Sequence, residues 1–330
     1  MSRTVIAGCG IAGATVAVSL RELLPGEEVV LIDGEGHGLY SRIRFPEVIA
    51  GKLPEEKLVL SSPEILSEKG IKLCLNRKIT SLDTQKKLVL FEDGSSMEYD
   101  KFVFALGAKP SVPPVPGLDQ NMTLRNFEDL HRIEKNIANV KKALVIGGGL
   151  LGLEIADSLK TKGISVAVSE IAPRLLPAIL SEKESAWLKT YLSEAGLEIL
   201  TGSSVEKITS LSDSYQVEMN GKVETFGLVL VSAGISPEIE IAKNAGIKVN
   251  KGICIDHRFE TSAKDVYAVG DCAELEGKVF GLWMASKSQG AALASILAGK
   301  ADSYEPPVFS PVPKLPGISL KLLKEKAAEV

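Results

Sequence analysis

Two stretches of the chain decide its fold: Gly8-Cys9-Gly10-Ile11-Ala12-Gly13 and Gly147-Gly148-Gly149-Leu150-Leu151-Gly152. Each follows a short apolar run typical of a buried strand, at residues 4–7 and 143–146, and each opens a helical pattern. In G-x-G-x-x-G the first glycine permits a tight turn, the second admits a diphosphate, and the third lets helix and strand pack closely. The unpaired N–H groups at the helix start favour an anion. The repeat therefore predicts two dinucleotide-binding βαβ units.

An acid ends the second strand of each unit. Asp33 and Glu170 stand about 20 residues after their glycine stretches, where a carboxylate accepts hydrogen bonds from an adenosine ribose. Because a carboxylate repels a 2′-phosphate, Glu170 favours NADH over NADPH. Arg174 follows four residues later and has three interpretations: a contact to NADH, a ligand for a 2′-phosphate, or a surface arginine.

The duplication extends beyond the glycine turns. Residues 88–99 and 215–225 each read as a β-hairpin, turning at Asp93-Gly94 and at Asn220-Gly221. Each hairpin leads into a buried strand that ends in glycine, Gly107 or Gly234. The fold class is therefore α/β, with two doubly wound Rossmann-like domains that each carry a hairpin excursion.

Composition excludes several other classes of protein. The chain has 330 residues, a formal net charge of −4, four cysteines and three histidines. No basic stripe exists for nucleic acid, and no cysteine or histidine spacing fits zinc, an Fe–S cluster or a disulfide framework. The apolar run at residues 5–20 is too short to cross a bilayer and is broken by glycines. We expect a cytoplasmic protein with no membrane span.

Four blocks carry a resemblance to a known family. They are residues 8–17, 104–110 and 145–156, and Val266-Tyr267-Ala268-Val269-Gly270-Asp271-Cys272-Ala273-Glu274. Together they resemble the FAD- and NAD(P)-dependent pyridine nucleotide-disulfide oxidoreductases, which have a glutathione-reductase-like fold. Residues 40–51 and Gly281-Leu282-Trp283-Met284 are most similar to NADH:rubredoxin reductases and to the flavin portion of nitrite reductases.

The resemblance implies which residues bind which cofactor. It implies an FAD-binding domain at 1–110 and 247–303, an NAD-binding domain at 111–246, and a proline-rich segment with a tail at 304–330. The FAD residues would be Gly8, Gly10, Ile11, Ala12, Gly13, Asp33, Arg42, Ile79, Ala105, Leu106, Gly107, Asp271, Trp283 and Lys314. The NADH residues would be Gly147, Gly149, Leu150, Leu151, Gly152, Glu170, Arg174 and Gly234.

Several of these residues have a plainer interpretation as well. Arg42 and Lys314 are equally well read as surface charges. Glu154 either orders the nicotinamide beside the flavin, as a catalytic residue, or is a solvated helix charge. A helix beginning near Ser286 is expected to direct its N-terminus at the flavin.

Two departures from the family pattern bear on the reaction. Residues 34–60 contain no cysteine, so no thiolate relay is expected to receive electrons from the flavin. We also expect the chain to lack the C-terminal interface domain of larger relatives, so its oligomeric state stays open. Lys314, Lys321, Lys324 and Lys326 either dock an acidic protein or form a solvated tail.

The sequence thus predicts an oxidoreductase that takes hydride from NADH onto FAD and passes electrons to a small redox protein such as rubredoxin. Two alternatives remain. The chain is an NADH oxidase or diaphorase acting on oxygen or quinone, or it is a flavin-binding subunit of a larger redox complex.

Overall fold

A computed structural model describes residues 2–309, 311, 314–319, 321–323 and 325. Within that part of the chain the α-helices are α1 (Ile11–Leu23), α2 (Phe45–Ile49), α3 (Pro63–Glu68), α4 (Phe127–Ile137), α5 (Leu150–Thr161), α6 (Glu182–Glu194), α7 (Glu240–Asn244) and α8 (Trp283–Leu297). Short 3₁₀ turns lie at Arg42–Arg44, Glu55–Leu58, Gln120–Met122 and Gly270–Cys272.

The strands of the described residues are two to six residues long. In chain order they are β1 (Arg3–Ala7), β2 (Glu28–Ile32), β3 (Leu39–Tyr40), β4 (Val59–Ser61), β5 (Lys72–Cys74), β6 (Ile79–Asp83), β7 (Leu88–Phe91), β8 (Ser96–Glu98), β9 (Lys101–Phe104), β10 (Ala108–Pro110), β11 (Lys142–Ile146), β12 (Ser165–Glu170), β13 (Glu198–Thr201), β14 (Val205–Ser210), β15 (Tyr215–Met219), β16 (Lys222–Phe226), β17 (Leu228–Val231), β18 (Ile235–Pro237), β19 (Ile253–Ile255), β20 (Val266–Ala268) and β21 (Ala273–Leu275).

The chain divides into two compact units. The first unit comprises Met1–Ser41, Glu56–Lys109 and Ser236–Phe309. Its centre is a parallel sheet in the order β20-β9-β1-β2-β5, with Val5 of β1 opposite Val30 of β2 and Phe102 of β9. Helices α1 and α8 cover one face of this sheet, and the antiparallel β6-β7-β8 sheet lies with α7 on the other. Because both faces are covered, the central strands are mostly apolar beyond their first residues.

The second unit comprises Arg42–Glu55, Pro110–Ile235 and Ser310–Val330. Its parallel sheet has the order β13-β12-β11-β17, which places β11 and its glycine turn between two neighbours. An antiparallel β14-β15-β16 sheet packs through Val217 and Phe226 into a core that also holds Leu144 of β11. The two units therefore repeat one plan, with a parallel sheet carrying the glycine turn and an antiparallel excursion beside it.

The predicted α/β class with Rossmann-like units is confirmed, and most element ends shift by one or two residues. Among the strands that were not predicted, β6 and β14 make each excursion three-stranded rather than a simple hairpin, and β5 and β13 each extend a parallel sheet at its edge. The helix expected near Ser286 begins at Trp283. The assignment of FAD to 1–110 and 247–303 and of NADH to 111–246 stays a prediction. Lys324 and Lys326 of the tail lie outside the described residues.

Among the described residues no helix is long and apolar enough to span a membrane. The longest, α8, has 15 residues, fewer than the roughly 20 that a bilayer requires.

Candidate dinucleotide sites

The first glycine turn joins β1 to α1 and is open at its middle glycine. A Cβ on Gly8, where φ is +112°, would lie 2.3 Å from the carbonyl oxygen of Ala105, and a Cβ on Gly13 would lie 2.0 Å from that of Gly8. A Cβ on Gly10 would meet nothing within 4 Å. Backbone therefore closes the inner side of the turn, while the space at Gly10 admits a diphosphate to the N–H groups that open α1.

Asp33 follows β2 directly and is tied to this turn. One carboxylate oxygen accepts a hydrogen bond from the N–H of Cys9 at 3.0 Å, and the other accepts one from the N–H of Glu35 at 3.0 Å. These two bonds fix the carboxylate beside the glycine turn. A fixed carboxylate with remaining lone pairs is suited to bind ribose hydroxyl groups.

The turn after β20 brings Asp271 to the start of α1. A Cβ on Gly270, where φ is +78°, would lie 2.9 Å from the Cβ of Ala12. Asp271 accepts a hydrogen bond from the hydroxyl of Ser286 at 3.0 Å, and the buried Gln289 side chain accepts one from the N–H of Gly270 at 2.7 Å. Two residues of α8 thus hold the Asp271 turn in place. The first turn of α8 contains no acid, so its positive end is uncompensated by side chains there.

The other residues predicted for FAD are distributed between the two units. Leu106 and Gly107 follow β9 in the first unit, and Gly107 has a φ of +71°. Ile79 opens β6, opposite Phe91. Arg42 and Lys314 belong to the second unit. Gly8 to Gly13, Asp33, Ala105 and Asp271 are the ones that the structure gathers around one turn.

The second glycine turn joins β11 to α5 and has the same geometry as the first. A Cβ on Gly147, where φ is +110°, would lie 2.3 Å from the carbonyl oxygen of Ser232, and one on Gly152 would lie 2.0 Å from that of Gly147. A Cβ on Gly149 would meet nothing within 4 Å. Leu150 and Leu151, the first residues of α5, are only partly exposed. This turn also has its open space where a diphosphate would approach.

Glu170 occupies the position in the second unit that Asp33 has in the first. Its carboxylate accepts hydrogen bonds from the N–H of Gly148 and the N–H of Ala172, both at 2.7 Å. Gly234, after β17, has a φ of +98° and accepts a hydrogen bond from the N–H of Ser111 at 3.0 Å. The residues present therefore fit a dinucleotide in each unit.

Arg174 is held by its own loop. Its guanidinium donates hydrogen bonds to the carbonyl oxygens of Pro177, at 3.0 Å, and Leu180. The buried hydroxyl of Ser185 donates to the carbonyl oxygen of Leu175 in the same loop at 2.8 Å. Arg174 therefore stabilises its own loop, a role that the sequence did not indicate, and the predicted contact to NADH stays a prediction.

A pocket of about 290 Å³ lies within the second unit, between α2, α5 and the segment around Lys314. Glu154 of α5 and Glu47 of α2 line it, together with Lys52 and Asp157. The N–H of Lys314 donates a hydrogen bond to Glu154 at 2.9 Å, so the carboxylate is engaged and is not a free surface charge. Glu47 is not among the site residues predicted from the sequence, because no motif links α2 to α5.

The two glutamates of this pocket differ in acidity. Burial raises the pKa of Glu154, an effect that the negative charge of Glu47 increases and the Lys314 N–H opposes. Hydrogen bonds from Arg44, at 2.7 Å and 3.0 Å, lower the pKa of Glu47. The pocket therefore combines one carboxyl that holds its proton more readily than usual with one that gives it up.

Two matching glycine turns, each beside a strand-end acid, define a protein with two dinucleotide sites. The comparison with known families agrees: residues 2–290 match the family described as pyridine nucleotide-disulphide oxidoreductase. The chain belongs to this family of oxidoreductases.

Three relatives indicate the range of the family. The large subunit of a nitrite reductase [NAD(P)H] from Klebsiella oxytoca is 34% identical over 91% of the chain, which spans only 32% of that protein. An NADH oxidase from Methanocaldococcus jannaschii is 32% identical, over 95% of this chain and 74% of its own. The crystal structure of NADH:rubredoxin oxidoreductase from Clostridium acetobutylicum superposes with a TM-score of 0.82 at 27% identity, covering 96% of this chain and 80% of that one.

Proposed function

We propose that the chain is a cytoplasmic oxidoreductase that binds FAD in the first unit and NADH in the second and delivers electrons to a small iron protein such as rubredoxin. The observation that carries the proposal is the pair of equivalent glycine turns, each open at its middle glycine. When bound, FAD would supply the acceptor for the hydride of NADH and a one-electron outlet. One NADH would reduce two one-electron carriers and release one proton.

The residues of the chain would bind and orient the two cofactors. Asp33 and Glu170 would each bind an adenosine ribose, and the N-termini of α1 and α5 would each bind a diphosphate. Asp271, held by Ser286, would bind the ribityl chain of the flavin. Glu154, with its raised pKa, would position the nicotinamide from the pocket wall.

The cysteines support electron transfer from the flavin to the acceptor without a disulfide between them. The four cysteines form no disulfide with one another, and Cys9 and Cys272 are buried. Burial raises the pKa of Cys272 to about 11, so this thiol stays protonated at neutral pH. Its sulfur donates to the carbonyl oxygens of Val269 and Phe104, which is a packing role. Electrons would therefore leave without a thiolate relay.

Glu170 and Arg174 support NADH as the preferred reductant. A 2′-phosphate would meet the Glu170 carboxylate, and the Arg174 guanidinium already donates to two carbonyl oxygens of its own loop. We expect kcat/KM for NADH to exceed that for NADPH by about tenfold or more, since like charges in contact cost at least that much.

An anaerobic titration tests the proposal. NADH is added to the purified holoenzyme while the flavin band is followed, and oxidised rubredoxin is then added. Bleaching by NADH followed by recovery with rubredoxin supports the proposal. Bleaching that only air reverses would favour the oxidase alternative, which the relative from M. jannaschii suggests. Bound FAD that NADH does not bleach would favour a subunit of a larger complex, as the nitrite reductase relative suggests.

A further inference from the structure

The start of α8 carries a cluster of exposed apolar side chains in the first unit. Met284 is 60% exposed and Val308 is 95% exposed. Phe280 and Phe309, both partly exposed, pack edge to face with ring centroids 5.9 Å apart. Trp283, also partly exposed, opens the helix beside Met284. Isolated exposed apolar residues are ordinary, but a cluster of this kind marks an interaction surface.

Two lysines border the cluster. The ammonium of Lys278 lies 4.7 Å from the centroid of the Phe280 ring, and that of Lys287 lies 5.7 Å from the centroid of Trp283. Both side chains are exposed, and within the described part of the chain neither makes an ion pair. We call these residues the α8 patch: Lys278, Phe280, Trp283, Met284, Lys287 and Phe309.

The acids Glu276 and Glu305 are not paired with these lysines. Each lies 3.2 Å from a ring nitrogen of His257, and the Tyr304 carbonyl oxygen together with these two carboxylates holds the pKa of that histidine above its usual range. The six residues of the α8 patch therefore carry two positive charges and no negative one, on a chain whose formal net charge is −4. A partner that binds it is attracted by the patch and repelled by much of the remaining surface, which favours one orientation.

The composition of the patch matches a protein interface. Aromatic residues and methionine are enriched at the centres of such interfaces, with charges at the rim. A patch of six residues suits the small, short-lived interfaces of electron-transfer complexes better than a permanent contact. The patch also includes Trp283, for which the family resemblance implies a contact with FAD.

We propose that the α8 patch is the docking surface for a small acidic one-electron carrier, with Met284 and the aromatic rings at the centre and Lys278 and Lys287 at the rim. This inference rests on the proposed function and names the surface through which it operates. The partner it fits has carboxylates around an apolar centre, so association should weaken as salt is added.

The test uses charge reversal on the holoenzyme. The double variant Lys278→Glu/Lys287→Glu and the single variant Met284→Ala are compared with Lys300→Glu, an exposed lysine just beyond the other end of α8. Oxidised rubredoxin is the probe, and anaerobic bleaching by NADH measures the first half of the reaction. We expect the double variant to raise KM for rubredoxin about tenfold or more at low salt. Met284→Ala should raise KM severalfold, and Lys300→Glu should leave it unchanged, with all three variants bleaching like the wild type.

The outcomes separate the two proposals. If the wild type reduces rubredoxin and the double variant has an unchanged KM, the docking surface is wrong and the function stands. If the wild type is bleached by NADH but never reduces rubredoxin, the proposed function is wrong and the docking inference fails with it. If the double variant instead abolishes a dimer seen by sedimentation, or binding to anionic vesicles, the occupant is a second copy or a membrane and the inference is overturned.

Discussion

Asp33 and Glu170 make the same contacts in the two units. Each carboxylate accepts one backbone N–H from the glycine turn, Cys9 or Gly148, and one from the residue two positions after the acid. The spacing in the sequence predicted both acids, because a strand, turn and helix of regular length leave little freedom in where the next strand ends. The same reasoning could not predict the contacts of Arg174. Its partners are backbone carbonyl oxygens, which every residue has, so no residue type in the sequence indicates them.

The pKa of Glu154 is raised and that of Glu47 is lowered, so we expect the two residues to change stability with pH in opposite directions. Because burial raises the pKa of Glu154, the folded state holds this proton more tightly than the unfolded state, and stability falls as pH rises through the window above the usual glutamate pKa. The stability of the Glu154→Gln variant relative to the wild type should therefore be greater at pH 7 than at pH 4. The melting temperature measured across that range checks this.

Glu47 supplies the matched control with the opposite sign. Arg44 lowers the pKa of Glu47, so its contribution is present at neutral pH and is lost as pH falls through the lowered pKa. Glu47→Gln should be less stable than wild type at pH 7, and the difference should shrink in acid. Parallel melting profiles for the wild type and both variants would contradict the assignment.

Tyr99 carries a buried hydroxyl for which the described residues offer no hydrogen-bond partner. Its ring is 4% exposed, and burial raises the pKa of the phenol to about 12. Removing an unpaired polar group relieves its desolvation cost, so Tyr99→Phe should raise the free energy of unfolding by about 1 kcal/mol. Urea denaturation measures this.

Tyr304→Phe is the control for Tyr99. Tyr304 is as buried as Tyr99, but its hydroxyl donates to Ser288 at 3.2 Å, so its removal should lower the free energy of unfolding by about 1 kcal/mol. Equal losses in both variants would mean that an internal water pairs the Tyr99 hydroxyl.

At the scale of elements, α1 and α8 lie close because small residues face each other. A Cβ on Gly290 of α8 would lie 2.6 Å from the carbonyl oxygen of Ala12 in α1. Gly290→Ala should therefore push the helices apart and destabilise the fold by about 1–3 kcal/mol, as overpacking does. Because Asp271 depends on Ser286 of α8, the variant should also bind FAD more weakly.

Ala291→Ser, on the exposed side of the same helix, is the control for Gly290→Ala and should leave stability and FAD affinity unchanged. Denaturant titrations of the two variants, with flavin fluorescence to follow FAD release, check the pair. A Gly290→Ala variant that unfolds like wild type would show that the helix spacing can adjust at no cost.

The sequence predicts elements whose pattern is local. The strands β1 and β11 and the helices α1 and α5 follow from apolar runs that border the glycine turns. Strand β6 reads Ile-Thr-Ser-Leu-Asp and β14 reads Val-Glu-Lys-Ile-Thr-Ser. In β6 only Leu82 is buried, and in β14 only Val205 and Ile208 are. Strands β6 and β14 are stabilised by pairing with β7 and β15. That pairing leaves no local pattern in the sequence. The pocket beside Glu154 depends in the same way on packing of α2 against α5.

At the scale of the whole molecule, the duplicated plan supports our proposal that each unit binds one dinucleotide. An alanine substitution at Gly10 tests the proposed site in the first unit, and one at Gly149 tests the proposed site in the second. Both have backbone angles that alanine adopts, φ of −68° and −75°, and in both an added methyl group meets no protein atom within 4 Å. The methyl group would instead lie where the diphosphate is proposed to bind.

The most direct test is therefore an anaerobic NADH titration of three proteins, each purified as it is expressed: wild type, Gly10→Ala and Gly149→Ala. Circular dichroism should show that all three are folded. We expect the wild type to be yellow and to bleach with one equivalent of NADH, Gly149→Ala to be yellow and to resist bleaching, and Gly10→Ala to be purified without flavin. A Gly149→Ala protein that bleaches like wild type, or a Gly10→Ala protein that retains its flavin, would contradict the assignment of the two units.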